Sequence, residues 1–245
     1  MGFHSSIFDV SGKKIAFGVV RRVLLRASQS ASGDLEVNHY VLTKGGMLQF
    51  GVENTEYQHY VVSGCAILDG KFLHGDSTVF FPSNSKFGEL RRHIICHAGE
   101  GELRVVTASY RSNRPNFRWA KVRFRNLYQV PVSVGAIINQ QLITEEEHAS
   151  MGALRMHALD VQTHAPLTVN AEHRNPEEII YILRGQGKAV SAGRRFSVAP
   201  GSLIYSREGD VHAVYNTSRT LSLQYLVLEF IVHDEMWSAR GITLP

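Results

Sequence analysis

Hydrophobic runs along this chain are short, rich in β-branched and aromatic residues, and cut apart by Gly, Pro, Asn or Asp. Such runs predict strands rather than helices. In the first half they fall at Val37 to Leu42, Tyr60 to Leu68, Ser77 to Phe81, His93 to Cys96 and Leu103 to Ser109. In the second half they fall at Gly152 to Val161, Ile179 to Leu183, Lys188 to Ser191, Ser202 to Tyr205, His212 to Tyr215 and Leu221 to Val232. No long segment keeps a helical period. Thr144 to Ser150, with Glu145, Glu146 and Glu147, reads as a helical turn or a solvated loop. Many short strands at regular spacing predict an all-β sandwich or barrel.

The two halves also repeat one another. Thr55 to Gly64 can be laid on Pro176 to Gly185: in each, an acidic residue precedes a strand whose Tyr stands four residues before a Gly. Downstream, His74-Gly75-Asp76 and Pro200-Gly201-Ser202 are each a turn feeding an apolar strand. A repeat this long predicts a duplicated domain. The expected division is 1–112, a connecting segment or edge strand at 113–132, and 133–245.

That connecting segment and its edge carry Arg111, Arg114, Arg118, Lys121, Arg123 and Arg125 interleaved with Phe117, Trp119, Phe124 and Tyr128. Basic residues among aromatics can grip single-stranded nucleic acid. No nucleic-acid fold signature accompanies them, so the reading is an edge strand whose charges block stray pairing.

Composition narrows the picture modestly. The 245 residues are 44% hydrophobic and 20% charged, an ordinary globular balance. The net charge of +4 suits an anionic small molecule. No apolar stretch of about 18 residues exists, so no membrane span is expected. Met1 to Ser6 lacks a basic segment followed by an apolar run, so no secretory leader is expected. Cys65 and Cys96 are the two cysteines, too few for a disulfide scaffold; reduced thiols and a cytoplasmic setting are expected.

Histidine is more informative, at 12 residues. His173 ends a short extended run, and Arg174-Asn175-Pro176-Glu177 is a turn. A hairpin there returns Glu178 beside His173, and Glu178, Ile180 and Ile182 share one strand face. Further on, Gly209-Asp210 turns into a strand whose His212, Val214 and Asn216 point to one side. Two neutral imidazoles and a carboxylate make a three-donor metal centre with positions left open. Arg155 and His157 share a strand face, that of the barrel mouth or that of the solvent; at the mouth they would meet an anionic substrate. Tyr205 either lines the cavity or packs in the core, and Asn216 is a further candidate for contact with substrate.

These spacings resemble the cupin superfamily. Its first motif is written G-x5-H-x-H-x(3,4)-E-x6-G and its second G-x5-P-x-G-x2-H-x3-N. His173-x4-Glu178-x6-Gly185 is similar to the later part of the first, and Gly201-x5-Arg207-x-Gly209-x2-His212-x3-Asn216 to the second. Arg207 replaces the usual Pro, Ala171 the leading His and Ala165 the leading Gly. The resemblance implies two tandem cupin barrels of the jelly-roll, or double-stranded β-helix, kind. It implies metal ligands at His173, Glu178 and His212 in the second barrel, holding a divalent transition metal, Fe2+ or Mn2+ before Ni2+ or Zn2+. In the first half, Tyr57 stands where Glu178 does and Phe87 where a His would follow Pro82, so that barrel is expected to be metal-free.

The string Glu172 to Gly185 resembles that of ring-cleaving cupin dioxygenases, which implies a non-haem dioxygenase-type activity at a His2Glu site. The size and two-barrel plan resemble the ureidoglycine aminohydrolases, which implies an oxygen-independent aminohydrolase or isomerase as the alternative. A non-catalytic small-molecule-binding cupin is the third reading. A homodimer is expected from the family; no nucleic acid and no membrane are.

Overall fold

Strand alternation sets the interior. In Thr55–Ser63 the residues Tyr57, His59 and Val61 face inward, and in Glu177–Arg184 the residues Glu178, Ile180 and Ile182 do the same. The computed structural model describes residues 2–52, 55–82, 92–111, 122–130, 137–143, 154–163, 169–170 and 177–230. Among these every regular element is a strand except two 3-10 turns, at Ala27–Gln29 and Leu127–Gln129.

Two compact units emerge. One groups Asp9–Gln129 with Glu147–Met151; the other groups Met1–Phe8, Val130–Glu146 and Gly152–Pro245. The first barrel holds β2 (Lys13–Ala16), β3 (Val19–Leu25), β4 (Leu35–Leu42), β5 (Met47–Phe50), β6 (Thr55–Ser63), β7 (Cys65–Leu68), β8 (Lys71–His74), β9 (Ser77–Phe81), β10 (His93–His97), β11 (Leu103–Arg111) and β12 (Arg123–Asn126). They form a seven-stranded sheet, β12-β9-β6-β11-β4-β3-β2, and a four-stranded sheet, β5-β10-β7-β8. The second holds β1 (Phe3–Ser6), β13 (Ile137–Ile143), β14 (Leu154–Val161), β15 (Val169–Asn170), β16 (Glu177–Arg184), β17 (Gly187–Ser191), β18 (Arg194–Val198), β19 (Ser202–Ser206), β20 (His212–Asn216) and β21 (Leu223–Phe230). Its sheets run β1-β19-β16-β21-β14-β13 and β15-β20-β17-β18. Every pairing is antiparallel, as a jelly roll requires.

The run Tyr60 to Leu68 is two strands, not one. Gly64 sits at φ +86° between β6 and β7, a left-handed conformation that turns the chain from one sheet into the other. Gly185 does the same between β16 and β17 at φ +82°, with the Ser222 carbonyl against the place a Cβ would take. The repeat read from the sequence is this corner, with Tyr60 and Tyr181 fully buried four residues before it.

Each barrel has its own core. Tyr40, Leu42, Leu48, Leu68, Val79, Phe81, Ile95 and Val105 fill the first, and Ile180, Ile182, Val198, Ile204, Val214, Tyr225 and Val227 the second. The strands missed in the sequence are mostly edges. Lys13–Ala16, Lys71–His74 and Arg194–Val198 are charged and largely exposed, which is how edges resist stray pairing. β1 covers the β19 edge of the second barrel through the register Phe3↔Tyr205 to Ser6↔Ser202. β12 is an edge strand on β9, while 112–121 of the basic segment and the turn at 144–150 lie outside the described residues.

Candidate metal centre

Glu178 is the second residue of β16 and His212 opens β20, on different sheets of the second barrel. Both side chains point inward, and His212 Nε2 lies 3.0 Å from Glu178 Oε1, each residue nearly buried. The strand below His212 and the strand beside Glu178 are tied together. Ser191 is the register partner of His212 and Ser206 that of Glu178, and their hydroxyls bond at 2.9 Å. This bond clamps the two sheets where the two donors meet. Replacing Ser206 by alanine is expected to weaken metal affinity about tenfold with the fold retained, read by competition with a chromophoric chelator.

The protonation of the pair follows from its hydrogen bonds. His212 Nδ1 is 2.9 Å from the Asp210 carbonyl, which can only accept, so Nδ1 carries the proton. In the neutral ring Nε2 is then a lone pair facing a carboxylate oxygen at 3.0 Å. Two acceptors at that distance need a cation between them or a proton on one of them. Burial pulls the His212 pKa down, but the Glu178 carboxylate and then Asp210 outweigh it and hold it above 6.5. A divalent ion answers the same demand. Two cis donors bound at about 2.1 Å from one ion stand about 3.0 Å apart, and an Nδ1–H held by a carbonyl is the usual way to aim Nε2 at a metal. The donor set fits.

His173 lies outside the described residues. Among the described residues no group of three His, Cys, Asp or Glu is gathered, so Glu178 and His212 are the donors brought together. Arg155 pairs with Glu229, and Glu229 pairs with Glu178, which puts Arg155 in the cross-strand row of the candidate ligand. His157 occupies the next row, opposite Val227.

Two expected substrate contacts are placed elsewhere. Tyr205 faces away from Ile204, which is in the barrel core, and packs its ring on Phe3 with centroids 5.4 Å apart. Strand alternation from Ile204 forces this, so Tyr205 has the packing role, not the cavity role. Asn216 does point inward, but four residues beyond His212, at the far end of β20. Its amide donates to the Val161 carbonyl at 3.0 Å and the Leu221 carbonyl at 2.8 Å, closing the barrel bottom.

Three further residues lie near the site that the sequence analysis did not single out. Glu229 adjoins Glu178 across the β16–β21 ladder. Tyr225 is buried on the same inner face, its pKa raised by burial and then by the Glu178 charge. His4 comes in on β1, opposite Ile204, and stacks on Phe196 at 5.3 Å. Inward alternation could have found Glu229 and Tyr225; His4 depends on a pairing no local pattern announces.

Two antiparallel barrels, one with a buried His/Glu pair, define a double-barrel architecture. Residues 159–229, which include Glu178 and His212, match the family described as the cupin domain. Over 93% of its length the chain is similar to the Escherichia coli protein Ylba, at 18% identity, 90% of that chain and a TM-score of 0.73. It is similar to the Lactobacillus farciminis oxalate decarboxylase, solved as a formate complex, at 10% identity over 97% of this chain and 90% of that one, with a TM-score of 0.71. A putative glyoxylate-induced protein of Pseudomonas aeruginosa gives 14% identity over 91% and 85%, with a TM-score of 0.72. No curated protein sequence matches the chain significantly. These likenesses show a two-barrel cupin fold. Among the described residues no helix is long and apolar enough to cross a membrane.

Proposed function

We propose that this protein is a metal-dependent enzyme of small polar metabolites, with dioxygenase-type activity at the second barrel. The observation that carries the reading is the buried 3.0 Å approach of His212 Nε2 and Glu178 Oε1, with the His212 ring aimed by the Asp210 carbonyl. His173, Glu178 and His212 would hold the ion, an Fe2+ or Mn2+ set by preference of two imidazoles and one carboxylate. When bound, the metal supplies open coordination positions at which a substrate and dioxygen can be activated. The chain's residues do the rest. Glu178 and His212, on different sheets, would hold the ion between them. Ile180, Ile204, Val214 and Val227 make the barrel below them apolar and exclude water. Arg155, in the Glu178 row, offers a charge for an anionic substrate.

Glu229 favours a second reading. A partly exposed carboxylate one strand from Glu178 is placed to move a proton in oxygen-independent hydrolysis or isomerisation. One assay separates the two. Protein loaded with Fe2+ is presented with catechols, aminophenols and small hydroxy or amino acids, in air and under argon. The dioxygenase reading expects oxygen uptake matched to substrate loss, abolished in Glu178→Ala. Turnover that persists under argon and falls in Glu229→Gln would replace it with the second.

A further inference from the structure

An antiparallel sheet with one face in the core ordinarily turns polar residues outward on the other. The small sheet of the first barrel, β5-β10-β7-β8, does not. Leu48, Ala66, Leu68, Leu73 and Ile95 point into the core, so alternation turns the residues between them outward. One outward cross-strand row reads Met47–Cys96–Ile67–Phe72. Gln49 and Ile94 pair on one side of it, and Cys65 and His74 on the other. None of these outward positions is Lys, Arg, Asp or Glu, in a chain that is 20% charged. Phe72 is 66% exposed, Met47 60% and Ile94 44%, with Cys96 and Ile67 half-buried between them. His74 Nδ1 lies 3.2 Å from Cys65 Sγ, so the polar atoms at that end face one another. Lys71, at the start of β8, shares the parity of Leu73 and lays its ammonium 4.1 Å over the Phe124 ring.

The repeat supplies an internal control. Counted from Gly64 and Gly185 and matched by register, Ile67, Phe72 and Cys96 take the places of Lys188, Ser197 and Tyr215 in the second barrel. There the same row is polar, with Lys188 and Ser197 exposed. The fold therefore does not require an apolar row at these positions, and the first barrel carries one for another reason.

We propose that this face docks a second copy of the chain. Contact between identical faces about a twofold axis brings side chains close to their own copies, so a charged face would oppose itself. The chain carries a net +4, which sets its copies against each other elsewhere. The outer face of β5-β10-β7-β8 is free of that repulsion. An unlike partner is steered and held in register by complementary charges, which this face does not offer. Two such faces stack as the sheets of a sandwich do, about 10 Å apart with strands turned by about 30°. Four strands about 4.8 Å apart and about four residues long give a footprint of about 260 Å2. A standard interface buries about 800 Å2 per partner, so the dimer is weak and reversible, with an expected Kd of about 10–100 μM.

Sedimentation equilibrium of the full chain across a concentration series tests this. Wild type should fit a monomer–dimer equilibrium. Ile67→Lys gives the first barrel the residue that the second has at the same place, and should raise Kd at least about tenfold with Tm unchanged. Phe72→Ser, at a more exposed position, should weaken the dimer in the same direction should the Lys variant fold poorly. Lys188→Ala, on the matching face of the second barrel, should leave Kd unchanged. Maleimide labelling of Cys96 in Cys65→Ser protein should slow as concentration rises through Kd, and Ile67→Lys should remove that protection. A wild-type chain that stays monomeric to about 1 mM would leave the face to an unlike partner and overturn the proposal. A dimer that neither Ile67→Lys nor Phe72→Ser weakens would place the contact elsewhere and overturn it equally.

Discussion

Acidifying the chelator-treated protein from pH 6.5 to 4 should unfold the first barrel. Burial lowers the pKa of His39 and of His93 to about 4 in the folded chain, against an ordinary 6.5, and holds that of His59 well below 6.5. For His39 the causes are burial first, then the charges of Arg22 and Arg104. The sign follows from proton counting. Between pH 4 and 6.5 the unfolded chain binds protons that the folded chain refuses, so stability falls as pH falls through this window. A displacement from 6.5 to about 4 corresponds to about 3 kcal/mol for each group. Domains are stable by about 5–15 kcal/mol, so these two histidines, with His59 acting in the same direction, bring the midpoint to about pH 4–5. Urea midpoints measured across this range should drop steeply, and the slope should be shallower in His93→Phe. A flat profile from pH 6.5 to 4 would mean that these imidazoles are not buried and neutral.

The second large effect is an asymmetry between the two halves of the Glu178–His212 pair. In metal-free protein at pH 7, Glu178→Ala leaves an imidazole that can shed its proton at almost no cost, since its ordinary pKa is 6.5. The expected loss is about 1–2 kcal/mol, mainly the hydrogen bond and packing. His212→Ala leaves a buried carboxylate beside apolar residues. Neutralising a carboxyl of ordinary pKa at pH 7 costs about 4 kcal/mol, and stranding it charged costs about 3–5 kcal/mol. His212→Ala should therefore destabilise more than Glu178→Ala at pH 7, and the gap should close toward pH 5. Urea unfolding of both variants in chelator checks this; equal losses would show that the pair does not share a dry site.

The fold was readable because it repeats a local signal. A buried Tyr four residues before a left-handed Gly occurs at Tyr60–Gly64 and Tyr181–Gly185, and the inward faces of β6 and β16 follow from simple alternation. What alternation cannot give is which face is inward. For Tyr205 the sequence leaves cavity and core both open, and the structure decides because the inward parity on β19 belongs to Ile204. The edge strands were hidden because charge, not hydrophobicity, suits an edge. β1 was hidden because its partner is β19, almost two hundred residues away in sequence. Glu178 and His212 were found as a pair because two separate spacings marked them. His59 and His93 lie on separate strands 34 residues apart, and no local pattern links them. Only tertiary packing, through Thr107, Phe50 and Phe81, turns them toward each other.

Elemental analysis of protein purified without chelators, compared with His212→Ala prepared in parallel, bears most directly on the metal centre. The wild-type chain should carry one more equivalent of transition metal than the variant. An unchanged stoichiometry in His212→Ala would remove this imidazole from any metal site and leave the second barrel with an ion pair alone.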